Sequence, residues 1–154
     1  MTVFLPSLLI GVIAGLRAMT APAAVSWAAR LGWLDLSSTP LAFLGYAFTP
    51  WILTVLALGE LVADQLPTTP SRKLPAPFAG RILSGALCGG AIGAADGALV
   101  TGAIAGVIGA VIGTLGGYAF RARLAAAFGR DLPAALLEDL VAVGGSALIM
   151  MALV

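Results

Sequence analysis

Four carboxylates lie near the ends of long apolar segments in this sequence. Glu60 and Asp64 are four residues apart, so both side chains share one face if the segment is a helix. Glu138 and Asp139 follow about two turns after the predicted start of the last apolar segment. Carboxylate oxygens suit protons and hard cations, and charges inside a membrane commonly mark a function. These four residues are therefore the predicted ion- or substrate-binding site.

Two arginines complete the predicted site. Arg17 separates two uncharged runs and lies near Thr20 and Pro22, where a helix break would free backbone groups that can bind an anion. Arg72 lies in a proline-rich loop. Two interpretations stay open. In one, the charges bind a small ion or an anionic headgroup. In the other, the carboxylates pair with the arginines at 72, 81, 121 and 123 and fasten helix ends. For Arg17 a third interpretation is extension to the outer interface.

Other chemistries find little support in the residue types. The chain has no histidine and a single cysteine, Cys88, so neither a zinc-type ligand cluster nor a Ser/His/Asp set exists. No catalytic residue or cofactor is predicted, a metal is left open, and the balance leans against an enzyme. A net charge of +1 does not favour nucleic acid as a partner.

The composition indicates that lipid is the solvent for much of the chain. Of the 154 residues, 60% are hydrophobic and 10% are charged, and the mean hydropathy is +1.07. A soluble domain carries about 25% charged residues. We therefore predict an all-α integral membrane protein in which residues 1–154 form a single transmembrane domain.

Apolar runs predict about five transmembrane helices. The first region, 2–29, is one long helix or a helix broken near Thr20-Ala21-Pro22, and whether it crosses once or folds back stays open. In the second run, Thr39 and Pro40 fit the start of a helix. Asp96-Gly97 fits a tight tip between the third and fourth runs. The later runs are 36–59, 79–95, 98–120 and 131–154.

Glycines recur every four residues in the third and fourth predicted spans. Residues four apart share a helix face, and glycine there lets two membrane helices approach closely. The spacing predicts a tightly packed hairpin of these two spans; a homo-oligomer interface or a smooth surface along a substrate path is the alternative. The predicted packing residues are Gly85, Gly89, Gly93, Gly109, Gly113 and Gly117.

Basic residues predict the orientation of the five-span arrangement. The connections around 65–81 and 121–133 hold most of the lysine and arginine and fall on one side, whereas Arg17 and Arg30 fall on the other with Asp35 and Asp96. Cytoplasmic loops carry an excess of basic residues. The N-terminus is therefore predicted to be cytoplasmic, in a bacterial inner membrane.

Several of these segments together resemble a bacterial family of small membrane proteins. They are Gly15-Leu16-Arg17-Ala18-Met19-Thr20-Ala21-Pro22, Glu60-Leu61-Val62-Ala63-Asp64-Gln65-Leu66-Pro67 with Thr69-Pro70-Ser71-Arg72, Arg81-Ile82-Leu83-Ser84-Gly85-Ala86, and Leu136-Leu137-Glu138-Asp139. The family is catalogued as domain of unknown function 4126. The resemblance implies a multi-span membrane protein and supplies no activity.

The functional hypothesis is a small transporter or channel for an ion or small polar solute. Five short spans enclose little space, so a homo-oligomer is expected. The alternative is a structural or accessory membrane subunit in which the charges pair and the glycines pack.

Overall fold

The computed structural model describes residues 3–66 and 74–154, and within them the regular secondary structure is all helical. Within these residues the chain forms six α-helices and one short 3₁₀-helix, which confirms the predicted helical class. The α-helices are α1 (Phe4–Leu16), α2 (Thr20–Arg30), α3 (Thr49–Ala63), α4 (Pro75–Ala95), α5 (Leu99–Phe128) and α6 (Asp131–Met151), and the 3₁₀-helix is Ala42–Gly45.

Successive α-helices run in opposite directions between two ends of the bundle. At the terminal face, Val3, Asp35, Asp96 and Val154 line one shared cavity. At the opposite end, Arg17 contacts carboxylates from the end of α3 and the beginning of α6. We call this opposite end the cluster end.

The first predicted span is two helices that fold back on each other. α1 ends at Leu16, Arg17 is extended, and α2 begins at Thr20. Because Trp33 and Leu34 line the same cavity as Val3, the chain returns to the terminal face after α2. Of the two arrangements left open for this region, the described residues from Val3 to Leu34 form the hairpin.

Glycine contacts hold α1, α4 and α5 together. A side chain at Gly89 would meet the backbone of Gly106, 2.8 Å from its Cα, and one at Gly85 would meet the Ala110 side chain at 2.7 Å. On the other side of α5, the backbone of Val12 lies against Gly109. α4 and α5 therefore form the tight hairpin that the glycine spacing predicts, and α1 packs on it. The remaining predicted glycines on these helices are placed as follows: Gly93 meets Ala98 and Gly102, Gly113 meets Val12, and Gly117 is buried on α5.

α2, α3 and α6 pack through larger side chains and leave a groove between them. The indole nitrogen of Trp27 donates to the Thr54 hydroxyl at 2.9 Å, and the Trp27 and Trp51 rings meet edge to face at 5.0 Å. The groove has a volume of 410 Å³. It runs from Thr20 near the cluster end to Met151 near the terminal face.

Two predicted boundaries are wrong. The helix predicted to begin at Thr39-Pro40 starts at Thr49 instead, because Pro50 is tolerated in a first turn and not inside a helix. The Thr39 hydroxyl stabilises a turn by donating to the Leu36 carbonyl. The fourth segment continues beyond residue 120 to Phe128 and ends at Gly129, whose φ of +69° suits glycine. Arg121 and Arg123 therefore lie on α5 and not in a connection.

Within the described ranges, three helices are long and apolar enough to cross a membrane. They are α4, α5 and α6, with mean hydropathies of 1.3, 2.0 and 1.7, and α1 and α3 are shorter apolar helices. Large apolar side chains on these helices are exposed, among them Leu83, Val100 and Leu140. An all-α protein with membrane-compatible helices is therefore established, and the number of crossings is taken up below.

Cys88 lies on α4 with a fully buried side chain. We expect a maleimide to leave Cys88 unmodified in the folded protein and to label it fully after denaturation, because the reagent reaches it only when the helices separate. Mass spectrometry measures the labelled fraction. The control is a Ser37→Cys/Cys88→Ala variant, whose thiol is exposed and should be labelled before the first time point. Labelling of Cys88 at the same rate would contradict its burial.

Candidate functional site

Seven charged side chains from four helices and the α1–α2 break meet at the cluster end. We call them the arginine–carboxylate cluster. Three are arginines and four are carboxylates, and the carboxylates are the four that the sequence predicts. Its members are Arg17, Arg81, Arg121, Glu60, Asp64, Glu138 and Asp139.

Arg17 is the centre of the cluster. Its side chain is 0% exposed, and its guanidinium contacts three carboxylates. The Nη1 atom donates to Asp64 at 2.6 Å, Nε donates to Asp139 at 2.7 Å, and Glu138 lies 3.5 Å from Nη2. The planar guanidinium presents five N–H donors in fixed directions, so it can bridge several carboxylates in one defined geometry. Arg17 therefore ties the ends of α3 and α6 to the break between α1 and α2.

The main partners of Glu60 are backbone amides and not an arginine. Its Oε1 accepts from the Ala18 N–H and its Oε2 from the Met19 N–H, both at 2.7 Å. These two amides belong to the break just before α2. The first amides of a helix lack intrahelical acceptors and carry a partial positive charge. One carboxylate thus satisfies two of them, and Arg81 lies 4.0 Å away.

Arg81 holds the other side of the break. Its Nη1 donates to the carbonyls of Gly15 and Leu16 at 2.7 and 2.6 Å, which are the last carbonyls of α1. Its Nη2 lies 3.7 Å from Asp64. A positive charge at a helix C-terminus is favourable. The break therefore has a carboxylate on its amides and a guanidinium on its carbonyls.

Arg121 connects α5 to the cluster from its outer side. It donates to Asp131 at 2.6 Å, contacts Glu138 at 3.4 Å and donates to the Asp64 carbonyl at 3.0 Å. Gln65 donates to Asp139 at 3.1 Å. The outer members are partly exposed, whereas the Glu138 side chain is only 2% exposed.

The structure corrects the position predicted for Arg17. The sequence interpretation placed Arg17 on the side opposite the carboxylates, either at an anion-binding helix break or extending to the outer interface. The fold-back of α2 instead leaves Arg17 at the turn of the hairpin, where it meets Asp64, Glu138 and Asp139. Arg72, the other predicted arginine, lies outside the residues that the structure describes.

Some contributors to the site were not predicted. The amides of Ala18 and Met19 carry no sequence signal except the nearby Pro22. Arg81 was named as a possible partner of the carboxylates but was assigned to a loop, and it lies inside α4. Thr20 begins α2 and has a buried hydroxyl for which the described residues provide no hydrogen-bond partner. A polar residue beside an intramembrane arginine would have been the available clue.

The cluster can hold charge, exchange protons or bind an ion. In the part of the chain that is described, no group of three or more His, Cys, Asp and Glu side chains is arranged to hold a metal ion. The guanidiniums between the carboxylates account for this, because they occupy the positions where a cation would sit. No family model, curated protein or solved structure matches the chain.

Proposed function

We propose that the chain is a transporter or channel of the bacterial inner membrane that moves an ion or small polar solute past the arginine–carboxylate cluster. The observation that carries the proposal is the burial of this cluster at the turn of a short helical hairpin, between apolar helices. Charged groups inside a membrane are expensive and commonly line the path of a substrate. Broken helices that expose backbone groups at mid-depth are a recurrent way to build such a path.

The depth of the cluster follows from helix lengths. α1 and α2 have 13 and 11 residues, about 20 and 16 Å, whereas the hydrocarbon core is about 30 Å thick. We propose that they enter from the terminal face and return without crossing, and that α4, α5 and α6 cross. α3, with 15 residues or about 22 Å, is also shorter than the core, and we propose that it completes a fourth crossing because its end at Asp64 is held in the cluster. Irregular backbone within a membrane must be buried in protein. The break meets this condition at Arg17, which is fully buried.

We propose that the cluster end is cytoplasmic. Arg121, Arg123 and Arg130 lie at this end, and Arg72 and Lys73 fall in the connection between α3 and α4. Basic residues accumulate in cytoplasmic connections. With the α1–α2 hairpin, Val3 and Val154 then both lie at the outer surface. This revises the cytoplasmic N-terminus that a single crossing of residues 2–29 implies.

Transport is tested with purified protein in liposomes. We expect the wild-type protein to carry current under an imposed gradient of at least one of protons, sodium, chloride and glycolate. Glu60→Gln and Glu138→Gln should each lower this flux at least tenfold, because either change removes a charge from the path. Currents on a supported membrane give the measurement, and circular dichroism checks that both variants fold.

Asp35→Asn is the matched control for the flux experiment. Asp35 is exposed at the terminal face, and hydrogen bonds from Ser37 lower the pKa of its carboxyl group. Its replacement should leave flux unchanged. Unchanged flux in Glu60→Gln and Glu138→Gln would remove both residues from the path.

A structural or accessory role is the second candidate, and one observation favours it. Each of the four carboxylates of the cluster has an arginine or backbone partner, as expected of groups that fasten helix ends. This role predicts no flux in the wild-type protein for any gradient. A homo-oligomer, which is proposed with the transporter, is tested separately by the mass of the detergent-solubilised protein.

A further inference from the structure

The amides at the start of α2 are arranged as an anion site that the chain fills with its own carboxylate. Glu60 binds them with one oxygen on each N–H, at 2.7 Å in both cases. This two-point geometry matches a planar carboxylate. The remaining environment is also favourable to an anion, because the Arg81 guanidinium lies 4.0 Å from the Glu60 carboxylate.

Thr20 supplies an independent observation. It is the first residue of α2, it is 6% exposed, and its hydroxyl lacks a hydrogen-bond partner among the described residues. A buried polar group without a partner is destabilising and calls for an explanation. Thr20 is one of the residues that line the groove between α2, α3 and α6, as is Leu61. A ligand bound at the start of α2 would give this hydroxyl an acceptor.

The groove beside Thr20 indicates what the rest of the ligand is like. Apart from Thr20, Thr54 and Ser146, it is lined by apolar side chains, including Ala24, Ala57 and Val143, and its volume is 410 Å³. A charged or strongly polar body would lose its hydration there without replacement. A hydrocarbon chain fits this lining, and a positively polarised helix start at one end favours an acid group.

We propose that the start of α2 and the adjoining groove bind a monocarboxylate with an apolar chain, and that Glu60 occupies the carboxylate position when no ligand is bound. The inference rests on the proposed function and names the solute class of the same site. The ligand carboxylate takes the amides of Ala18 and Met19 and accepts from the Thr20 hydroxyl, while its chain lies in the groove. One carboxylate replaces another on these amides, so the amides and Arg81 keep an anionic partner.

Octanoate and 1-octanol serve as probes for the purified protein in detergent, without any gradient. Glu60→Ala leaves the amides empty, so octanoate should raise its melting temperature by several degrees and bind at least tenfold more tightly than to wild type. Octanol has the same chain without the carboxylate and should have little effect. Tryptophan fluorescence follows unfolding and binding. Glu60→Gln, a milder change, should show an intermediate gain if Glu60→Ala folds poorly.

A Thr20→Val change distinguishes the proposed site from general packing. In wild type it should leave the melting temperature unchanged or higher, because no hydrogen bond is lost. Combined with Glu60→Ala it should weaken octanoate binding about fivefold, because the ligand loses one donor. An unchanged octanoate affinity in the double variant would exclude Thr20 from the site.

Asp139→Ala is the matched control within the cluster, because Asp139 accepts from Arg17 and Gln65 and not from the α2 amides. The proposal is overturned if octanoate stabilises Asp139→Ala as much as Glu60→Ala, since the acid would then simply replace any missing carboxylate. The proposal is also overturned if octanol raises the melting temperature of Glu60→Ala as much as octanoate does. Octanoate binding without flux in liposomes would reject transport and leave this site in place.

Discussion

Arg17→Leu is expected to destabilise the protein by about 4 kcal/mol, the largest effect of any single side-chain removal in the cluster. Removing one partner of a buried ion pair leaves an uncompensated charge, which costs about 3–5 kcal/mol. Here Asp64, Asp139 and Glu138 all lose a contact at once. Chemical unfolding in detergent, followed by tryptophan fluorescence, measures the change.

Arg30→Leu is the control for the Arg17 experiment. Arg30 lies at the other end of α2 and is exposed, so its replacement should change stability by less than about 0.5 kcal/mol. Arg17→Lys should fall between the two, because an ammonium keeps the charge without the fork. If Arg17→Leu unfolds at the same denaturant concentration as Arg30→Leu, the cluster does not fasten the hairpin.

A triple variant tests whether the lower stability of Arg17→Leu comes from the unpaired carboxylates or from lost packing. Neutralising the partners in the same chain, as Arg17→Leu with Asp64→Asn and Asp139→Asn, should restore part of the lost stability. Coupling energies between residues in direct contact are about 0.5–3 kcal/mol. A triple variant as unstable as the sum of its single changes would show that the arginine acts through packing alone.

Gly89→Ala is expected to cost about 3 kcal/mol and to separate α4 from α5. The added Cβ would lie against the backbone of Gly102 and Gly106, with the Gly106 nitrogen at 2.9 Å. Backbone cannot rotate away as a side chain does, so the helices must move apart. Forcing extra atoms into a tight interface typically costs about 1–3 kcal/mol, and this site is at the upper end.

Gly90→Ala is the neighbouring control. Its Cβ would meet the Ala103 side chain at 3.5 Å, which is ordinary contact, so the change should be neutral or stabilising by up to about 1 kcal/mol through helix propensity. Unfolding of both variants is compared in the same detergent. Equal stability of the two would show that the face carrying Gly89 is not held against α5.

The glycine and charge patterns predicted more of the molecule than the proline and capping patterns did. The four-residue glycine spacing places the contacts of α4 with α5 correctly, because a helix face follows directly from sequence separation. Thr39-Pro40 looked like a helix start, but Pro50 was the residue that determined where α3 begins. Two such signals within one apolar run cannot be ranked without the packing around them.

The four carboxylates were predicted as a group, and Arg81 and Arg121 were named among their possible partners, whereas Arg17 was placed on the opposite side. Glu60 and Asp64 share a face at the end of α3, and Glu138 and Asp139 lie near the start of α6. Whether Arg17 joins them depends on whether the chain folds back at residues 17–19. That choice is made by tertiary contacts, since Arg81 binds the carbonyls and Glu60 binds the amides of the break.

The glycine contacts also divide the bundle mechanically. α1, α4 and α5 touch backbone to backbone, so any sliding of one past another would drive main-chain atoms together. α2, α3 and α6 meet through rotatable side chains around an open groove. Shear between packed helices needs interfaces that can repack. α1, α4 and α5 therefore act as a fixed frame, and any opening of the bundle is expected as a movement of α2, α3 and α6 against this frame.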